Sequence, residues 1–491
     1  MSKHEQLRVL VSGASIAGPA TAYWLAKAGA RVTVLERFPH LRTGGQNVDI
    51  RTVGVSVMRK IPGMEEAVRS KTVHMNGISF IDGHGRPYAT IGASGNPDQQ
   101  SLVSEYEILR GDLARILFNM TESNPNITYV FGEQIASFSP TTPSSDTTTT
   151  AAAAAAAATA ATSGPVTVRF ANGRLPTQEY DLVVGADGVW SHTRALALNC
   201  SPRDHMQLLG TWAAYFRIPR DLLAGSRTAQ AFNTPGGLLV ALGPLPQRGA
   251  TQVTVLRRYP PRNRASRTDN NNNDNNNNSP NKDQNDDDND DPMRPFREAH
   301  RQGDATLRAF VASQLPSSSS SSSKDGSPAW LCPEIAEHLL AGQVEDLHAS
   351  ELARVRAPAL ARGRVALVGD AGYAGGSTGM GTSLALAGAY VLAGEVARSI
   401  NDMRTAQRNN GVVDVEGALR AYERAMWRLV EECDQRPGFV HDLLMPQTAW
   451  GLWLRNNMLS FLSRSGLLGL CQTVVSAGAF KKRDEASLPD H

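Results

Sequence analysis

Leu7-Arg8-Val9-Leu10-Val11-Ser12-Gly13-Ala14-Ser15-Ile16-Ala17-Gly18, continued through Gly29 to Arg31-Val32-Thr33-Val34-Leu35-Glu36, is the stretch that decides the architecture. Leu7–Ser12 is a short apolar run of β-forming residues, and Ala17–Ala28 has helical spacing closed by Gly29. Arg31–Leu35 is a second strand, so the chain opens as a βαβ unit and reads as α/β. A dinucleotide pyrophosphate needs a tight turn, a close backbone approach and free N–H groups at a helix N-terminus. Gly13 can supply the turn and Gly18 the close helix–strand contact, with Ile16 and Ala17 opening the helix between them. Ser15 stands where the second glycine of G-x-G-x-x-G normally lies, and it is small enough to keep the approach. Glu36 ends the second strand, where a carboxylate can accept hydrogen bonds from a ribose hydroxyl, and Arg37 follows it. These residues alone indicate a dinucleotide, and they leave FAD and NAD both open.

Two later stretches narrow the choice. Asp181–Val184 is an apolar strand running into the acidic turn Asp187-Gly188, followed by Ser191, His192 and Arg194. Val365–Val368 is another, running into Gly369-Asp370; Gly379-Met380-Gly381-Thr382 then opens a helix through about Ala397. With these motifs the chain resembles the group A flavoprotein monooxygenases, the para-hydroxybenzoate hydroxylase type. The resemblance implies FAD as cofactor, with Asp187 and Gly188 near its pyrophosphate and the path of NADPH or NADH. It implies that Gly369 and Asp370 meet the ribitol. The helix opened by Gly379, Met380, Gly381 and Thr382 would stabilise negative charge on the reduced flavin. Arg42–Arg51, with Gln46, resembles the loop that approaches the flavin, and Arg110 matches a helix-start arginine that contacts FAD. One departure is local: many relatives carry a proline after the Gly-Asp-Ala motif, where this chain reads Gly372-Tyr373-Ala374-Gly375-Gly376. The resemblance covers the chain outside three inserts, to Leu488-Pro489-Asp490.

Those inserts are a Thr/Ser/Ala-rich stretch at 139–164, an Asn/Asp-rich one at 261–293 and a Ser-rich one at 316–328. None carries enough apolar surface to offset the entropy of ordering, so all three are expected to be disordered. Leu208–Arg217, Gly237–Leu242 and Gln252–Arg257 read as strands of a different, more antiparallel sheet. The expected fold is a Rossmann-like FAD-binding domain with an inserted, mainly antiparallel substrate-domain sheet and C-terminal helices. Residues 1–75, 101–200 and 350–400 would form the first, 76–100 and 201–349 the second, and 401–491 the helical region.

A formal charge of +2 on 491 residues offers no global case for nucleic acid or an anionic membrane. Cys200, Cys332, Cys433 and Cys471 form no CxxC pair, which argues against a zinc site or disulfide framework and suits a reducing, cytoplasmic setting. No stretch is read as an integral membrane segment, and the N-terminus lacks a signal-peptide core. Trp450, Trp453, Leu454, Met458, Phe461 and Leu462 recur at helical spacing and are expected to face the core, with a peripheral membrane or partner surface as the alternative.

The resemblance implies an enzyme that takes hydride from NAD(P)H, captures O2 as a flavin C4a-hydroperoxide and hydroxylates a small aromatic or polyketide-type molecule. Tyr215, on the Gly210–Arg217 strand, is the candidate substrate-facing group; His192 and His348 have no supporting pattern as bases. A flavin dehydrogenase without oxygen insertion and a non-catalytic flavin-binding module are the alternatives. A halogenase lacks its Trp-x-Trp-x-Ile-Pro signature here, and a Baeyer–Villiger enzyme lacks its second Rossmann unit.

Overall fold

The first strand, Arg8–Ser12, occupies an interior position of a six-stranded sheet. It pairs in parallel with Arg31–Glu36 on one side and Leu182–Gly185 on the other. Ile127–Phe131 extends one edge and Val365–Leu367 the other, both parallel, and Ala361–Arg362 closes the second edge antiparallel. The computed structural model describes residues 6–42, 44–73, 75–93, 104–140, 164–245, 248–260, 291–317, 330–376, 379–405, 413–433, 444–467 and 488–489. Both faces of the sheet are covered. Val9, Val11, Val32, Val34, Leu182 and Val184 meet the helices Ala17–Lys27, Gly381–Thr405 and Val415–Cys433. Leu10, Leu35, Val183 and Val365 meet a small antiparallel sheet of Ile135–Pro140, Val166–Phe170 and Gln178–Tyr180. Burial on both sides explains why these parallel strands read as unbroken apolar runs.

A seven-stranded sheet runs in the order Glu345–Val355, Met206–Ile218, Ala250–Arg258, Leu238–Leu245, Thr228–Thr234, Gly77–Ile81, Pro87–Gly92. Every pairing is antiparallel except Thr228–Thr234 with Gly77–Ile81, so the mainly antiparallel reading holds. One face packs on the helices Arg294–Gln302, Asp304–Gln314 and Cys332–Leu340. Trp212 is buried there, stacked on Phe296 at 5.6 Å and edge-on to Phe310 at 5.5 Å.

The structure corrects three expectations. A boundary at 349/350 falls inside the strand Glu345–Val355, whose hydrogen bonds to Met206–Ile218 assign it to the seven-stranded sheet. Two inserts are shorter than expected at their edges: Ser139 and Pro140 end a paired strand, and Met293, 2% exposed, precedes the helix Arg294–Gln302. The remaining expectations of disorder fall almost wholly outside the described residues, as does Cys471.

The third correction is the C-terminal helix Ala449–Arg464. It turns its aromatic stripe outward, with Trp450 69%, Trp453 60% and Phe461 65% exposed, and buries Arg455, Asn456 and Leu459. Helical spacing fixes which residues share a face, and the partners available fix which face is buried. Arg455 lies over the Phe80 ring and donates to Asn233 Oδ1 at 2.9 Å, Leu444 O at 3.2 Å and Asn456 Oδ1 at 2.6 Å. A guanidinium supplied with acceptors can be buried, where a bare one could not. Gly381–Thr405 is long and apolar enough to cross a membrane, and it serves here as a core helix, largely buried between Ala17–Lys27 and Val415–Cys433.

Candidate active site

The turn after the first strand is built on two glycines that admit no side chain. A Cβ on Gly18 would stand 1.8 Å from Gly13 O, and one on Gly13, whose φ is +107°, would stand 2.4 Å from Ala186 O. Ile16 and Ala17 are buried where the helix begins, and the Ala17 methyl approaches Gly369. Glu36 accepts hydrogen bonds from Ala14 N at 3.0 Å and Phe38 N at 3.1 Å, which fixes its carboxylate beside the turn. Arg37 is exposed and lies over the Phe38 ring.

The Ser15 departure has a structural partner. Arg110 donates to Ser15 Oγ at 2.7 Å and to Gly44 O at 2.5 Å, tying the glycine turn to the Arg42–Arg51 loop. Burial and the neighbouring Arg42 push the Arg110 guanidinium down to about 10, while Glu36 opposes them. Arg42 is likewise lowered, by burial and then by Arg37. Two mutually repelling guanidiniums beside a helix N-terminus form an anion site that a pyrophosphate would relieve.

Across this site, Gly369 (φ +67°) leads into Asp370. No described residue donates a hydrogen bond to the Asp370 carboxylate, and burial raises its pKa. A carboxylate in that state fits hydroxyl donors such as those of a ribityl chain. Gly379 (φ +71°) and the buried Met380 lead into the helix begun by Gly381 and Thr382. Ser383, in its first turn, accepts from Arg51 N at 2.8 Å, which brings the Arg42–Arg51 loop to the same helix end. Gln46 Oε1 and Asn47 Oδ1 are buried without a partner among the described residues, further acceptors suited to a bound group. In place of the proline after the Gly-Asp-Ala motif, Tyr373 is buried with its hydroxyl 3.4 Å from that of Tyr422.

Asp187 acts on its own segment. It accepts from Ser191 Oγ at 2.5 Å, Thr193 N at 3.0 Å and Thr193 Oγ1 at 2.9 Å, while Gly188 takes a φ of +81°. Arg194, in the same motif, has a role that no local sequence pattern reveals. Its side chain is fully buried and donates to Ala371 O at 2.9 Å, Val189 O at 3.0 Å and Pro202 O at 2.8 Å, locking the two acidic turns together. An arginine in the first turn of the helix His192–Leu198 was the signal available.

Tyr215 lies on the face of the seven-stranded sheet opposite the helices. On the helix side Ala214, Phe216, Val240, Leu242, Val253 and Val255 are at most 1% exposed. On the other side Tyr215, Leu239, Ala241, Thr254 and Leu256 all keep accessible surface, although register places them side by side mid-sheet. Burial pushes the Tyr215 hydroxyl up to about 12, so it stays neutral. His348, its partner across the other strand pair, is pushed down to about 4 by burial and by Arg42, Arg110 and His300. His192 is exposed. Among the described residues no cluster of three or more His, Cys, Asp or Glu could hold a metal.

Residues 6–306 match the family described as FAD binding domain. The FAD-dependent monooxygenase asL4 of Sarocladium schorii is 29% identical over 472 residues, covering 93% of this chain and 93% of that protein. The flavin-dependent monooxygenase eupH of a Phoma species is 28% identical, covering 94% and 92%. Among solved structures, tetracycline destructase Tet(55) shares the fold with a TM-score of 0.64 at 24% identity, each chain covered in full. Klebsiella pneumoniae HpxO, solved with FAD and uric acid, does so with a TM-score of 0.62 at 18% identity, covering 97% of this chain and 98% of its own. With the glycine turn, the Gly369-Asp370 turn and the arginine pair in place, the chain belongs to the FAD-binding domain family and is an FAD-dependent monooxygenase of the group A type.

Proposed function

We propose that this monooxygenase uses NADPH or NADH and O2 to hydroxylate a small aromatic or polyketide-type molecule lying against the open face of the seven-stranded sheet. The observation that carries the reading is the accessible apolar surface at Leu239, Ala241 and Leu256, mid-sheet beside Tyr215. Leu239 and Ala241 pack on one side against the cluster of Phe80, Ala89, Ala231 and Leu459, and the accessible surface that remains beside Leu256 and Tyr215 suits a flat, mostly apolar ligand with few polar groups. The relatives asL4 and eupH are named FAD-dependent and flavin-dependent monooxygenases, which supports oxygen insertion over a reductase.

Gly13, Ser15, Ile16, Ala17, Gly18, Glu36 and Arg110 would hold the adenine-side and pyrophosphate parts of FAD, with Arg37 at the rim and Asp187 and Gly188 shaping the adjoining turn. Gln46, Gly369, Asp370, Gly379, Met380, Gly381 and Thr382 would hold the ribityl and flavin parts. FAD held there would supply the redox chemistry, a two-electron link between a nicotinamide and O2. The protein orients the substrate and keeps water from it. Tyr215, neutral across the physiological range, offers its hydroxyl as a hydrogen-bond donor or acceptor to a substrate oxygen. The spacing of the cysteines, with no CxxC pair, suits a reducing, cytoplasmic setting.

The test is to follow NAD(P)H consumption, O2 uptake and product mass over a panel of phenolic and polyketide compounds. A product one oxygen atom heavier bears the reading out. Nicotinamide oxidation without O2 use would make the enzyme a reductase, and no flavin-linked turnover with any compound would leave a binding module.

A further inference from the structure

A pair of carboxyl groups lies where the cofactor core meets the substrate sheet. Asn47–Asp49 and Glu107–Leu109 form a two-stranded antiparallel ladder in which Asp49 stands directly opposite Glu107. Alternation separates its two faces. Val48 and Ile108 turn into the core beneath the dinucleotide sheet. Asn47, Asp49, Glu107 and Leu109 take the other face, and Leu109 packs there with Val73, Leu245 and Ala250, the last two from the seven-stranded sheet. Arg51 anchors the arrangement: its backbone N–H bonds Ser383 Oγ at 2.8 Å, and its guanidinium bonds Asp49 Oδ2 at 2.9 Å. Asn47 Nδ2 donates to Glu107 Oε1 at 2.8 Å. The second Glu107 oxygen has no hydrogen-bond partner among the described residues, and the side chain keeps some accessible surface.

We propose that Glu107 is a substrate-binding residue, whose carboxyl group hydrogen-bonds a carbonyl or hydroxyl oxygen of the molecule and orients the carbon to be oxygenated. The proposal rests on the hydroxylase reading above. Burial and the facing Asp49 carboxylate push Glu107 up to about 8, against the opposing effects of Asn47 and Arg51. Asp49 and Arg51 are the charged groups that face it. At pH 7 it is therefore a neutral acid, with an O–H to give and a carbonyl oxygen to receive. Ionisation removes the donor, so binding of a carbonyl oxygen weakens as pH rises through about 8.

The experiment titrates FAD-loaded enzyme with the compound that gives the heavier product, using flavin absorbance to read binding without turnover. E107L should raise Kd at least tenfold at pH 7, and E107Q, which keeps a donor and cannot ionise, should stay within threefold. Wild-type affinity should fall between pH 8 and 9.5 while that of E107Q stays level. An unchanged Kd in E107L, or parallel pH profiles for wild type and E107Q, overturns the proposal. The absence of any hydroxylated product fails the hydroxylase reading separately. Infrared difference spectra of wild type and E107Q from pH 6 to 10 then decide on Glu107 itself. A neutral-carboxyl band that titrates near pH 8 and is missing from E107Q upholds the neutral donor; no such band in wild type overturns it.

Discussion

The two large sheets treat apolar residues differently. In the six-stranded sheet every residue of Val9-Leu10-Val11 is buried, because helices cover one face and a small sheet the other. In the seven-stranded sheet Leu238-Leu239-Val240-Ala241-Leu242 is just as apolar in sequence, yet Leu239 and Ala241 keep accessible surface while their neighbours have almost none. The first sheet buries its apolar surface on both faces; the second leaves part of it accessible, and on the proposed reading a ligand lies there. Similar apolar runs thus end in different surroundings, and what packs on the second face separates them.

Substitutions should divide along the same line. The largest effect is expected at Arg194, in the sealed region. R194L strips the donor from three carbonyls, each costing about 1–3 kcal/mol, so a loss of at least about 3 kcal/mol should appear in denaturant unfolding. A stability within about 1 kcal/mol of wild type would show that water replaces the donor and that the turns are not locked by it. On the helix side of the seven-stranded sheet, W212A should cost about 3–5 kcal/mol, since it empties a stacked aromatic site. Full substrate affinity in the surviving fold would sharpen the division, because this face should bear on stability alone.

At the cofactor locus, D370A removes acceptors for the ribityl hydroxyls and should weaken FAD retention by about 1–3 kcal/mol, read by reconstitution titration. Unchanged retention would dissociate Asp370 from the cofactor. The smallest stability effect belongs to the open face. L239A should shift unfolding by less than about 1 kcal/mol yet change the KM for substrate several-fold. A core-sized loss of stability with unaltered KM would erase the distinction between the two sheets.

Much of this was legible in the sequence, for identifiable reasons. The unit from Leu7 to Glu36 announces itself because strand, glycine turn and helix must follow in that order to bind a pyrophosphate, and the structure has them within a residue or two of expectation. Val365 and the helix from Gly381 follow the same logic, although that helix runs on to Thr405, well past Ala397. What could not be read depends on partners distant in the chain. Arg455 is an inward residue only because Asn233 and Leu444 supply acceptors. Arg194 is a clamp only because Ala371 returns beside it, and Glu107 meets Asp49 through a pairing no local pattern specifies.

The parallel sheet also sets a timetable. Its first-made strand, Arg8–Ser12, waits for Leu182–Gly185 to take one side, and that strand waits in turn for Val365–Leu367. At ribosomal speeds of about 5–20 residues per second, the interval between the first strand and the last is on the order of tens of seconds. Through that time Val9, Val11 and Val184 lack their final cover, which arrives with the helices after residue 380. The chain therefore emerges with its most apolar strands early and their shelter late. Exposed apolar strands of this kind are what make a nascent chain prone to aggregate before its later helices are made.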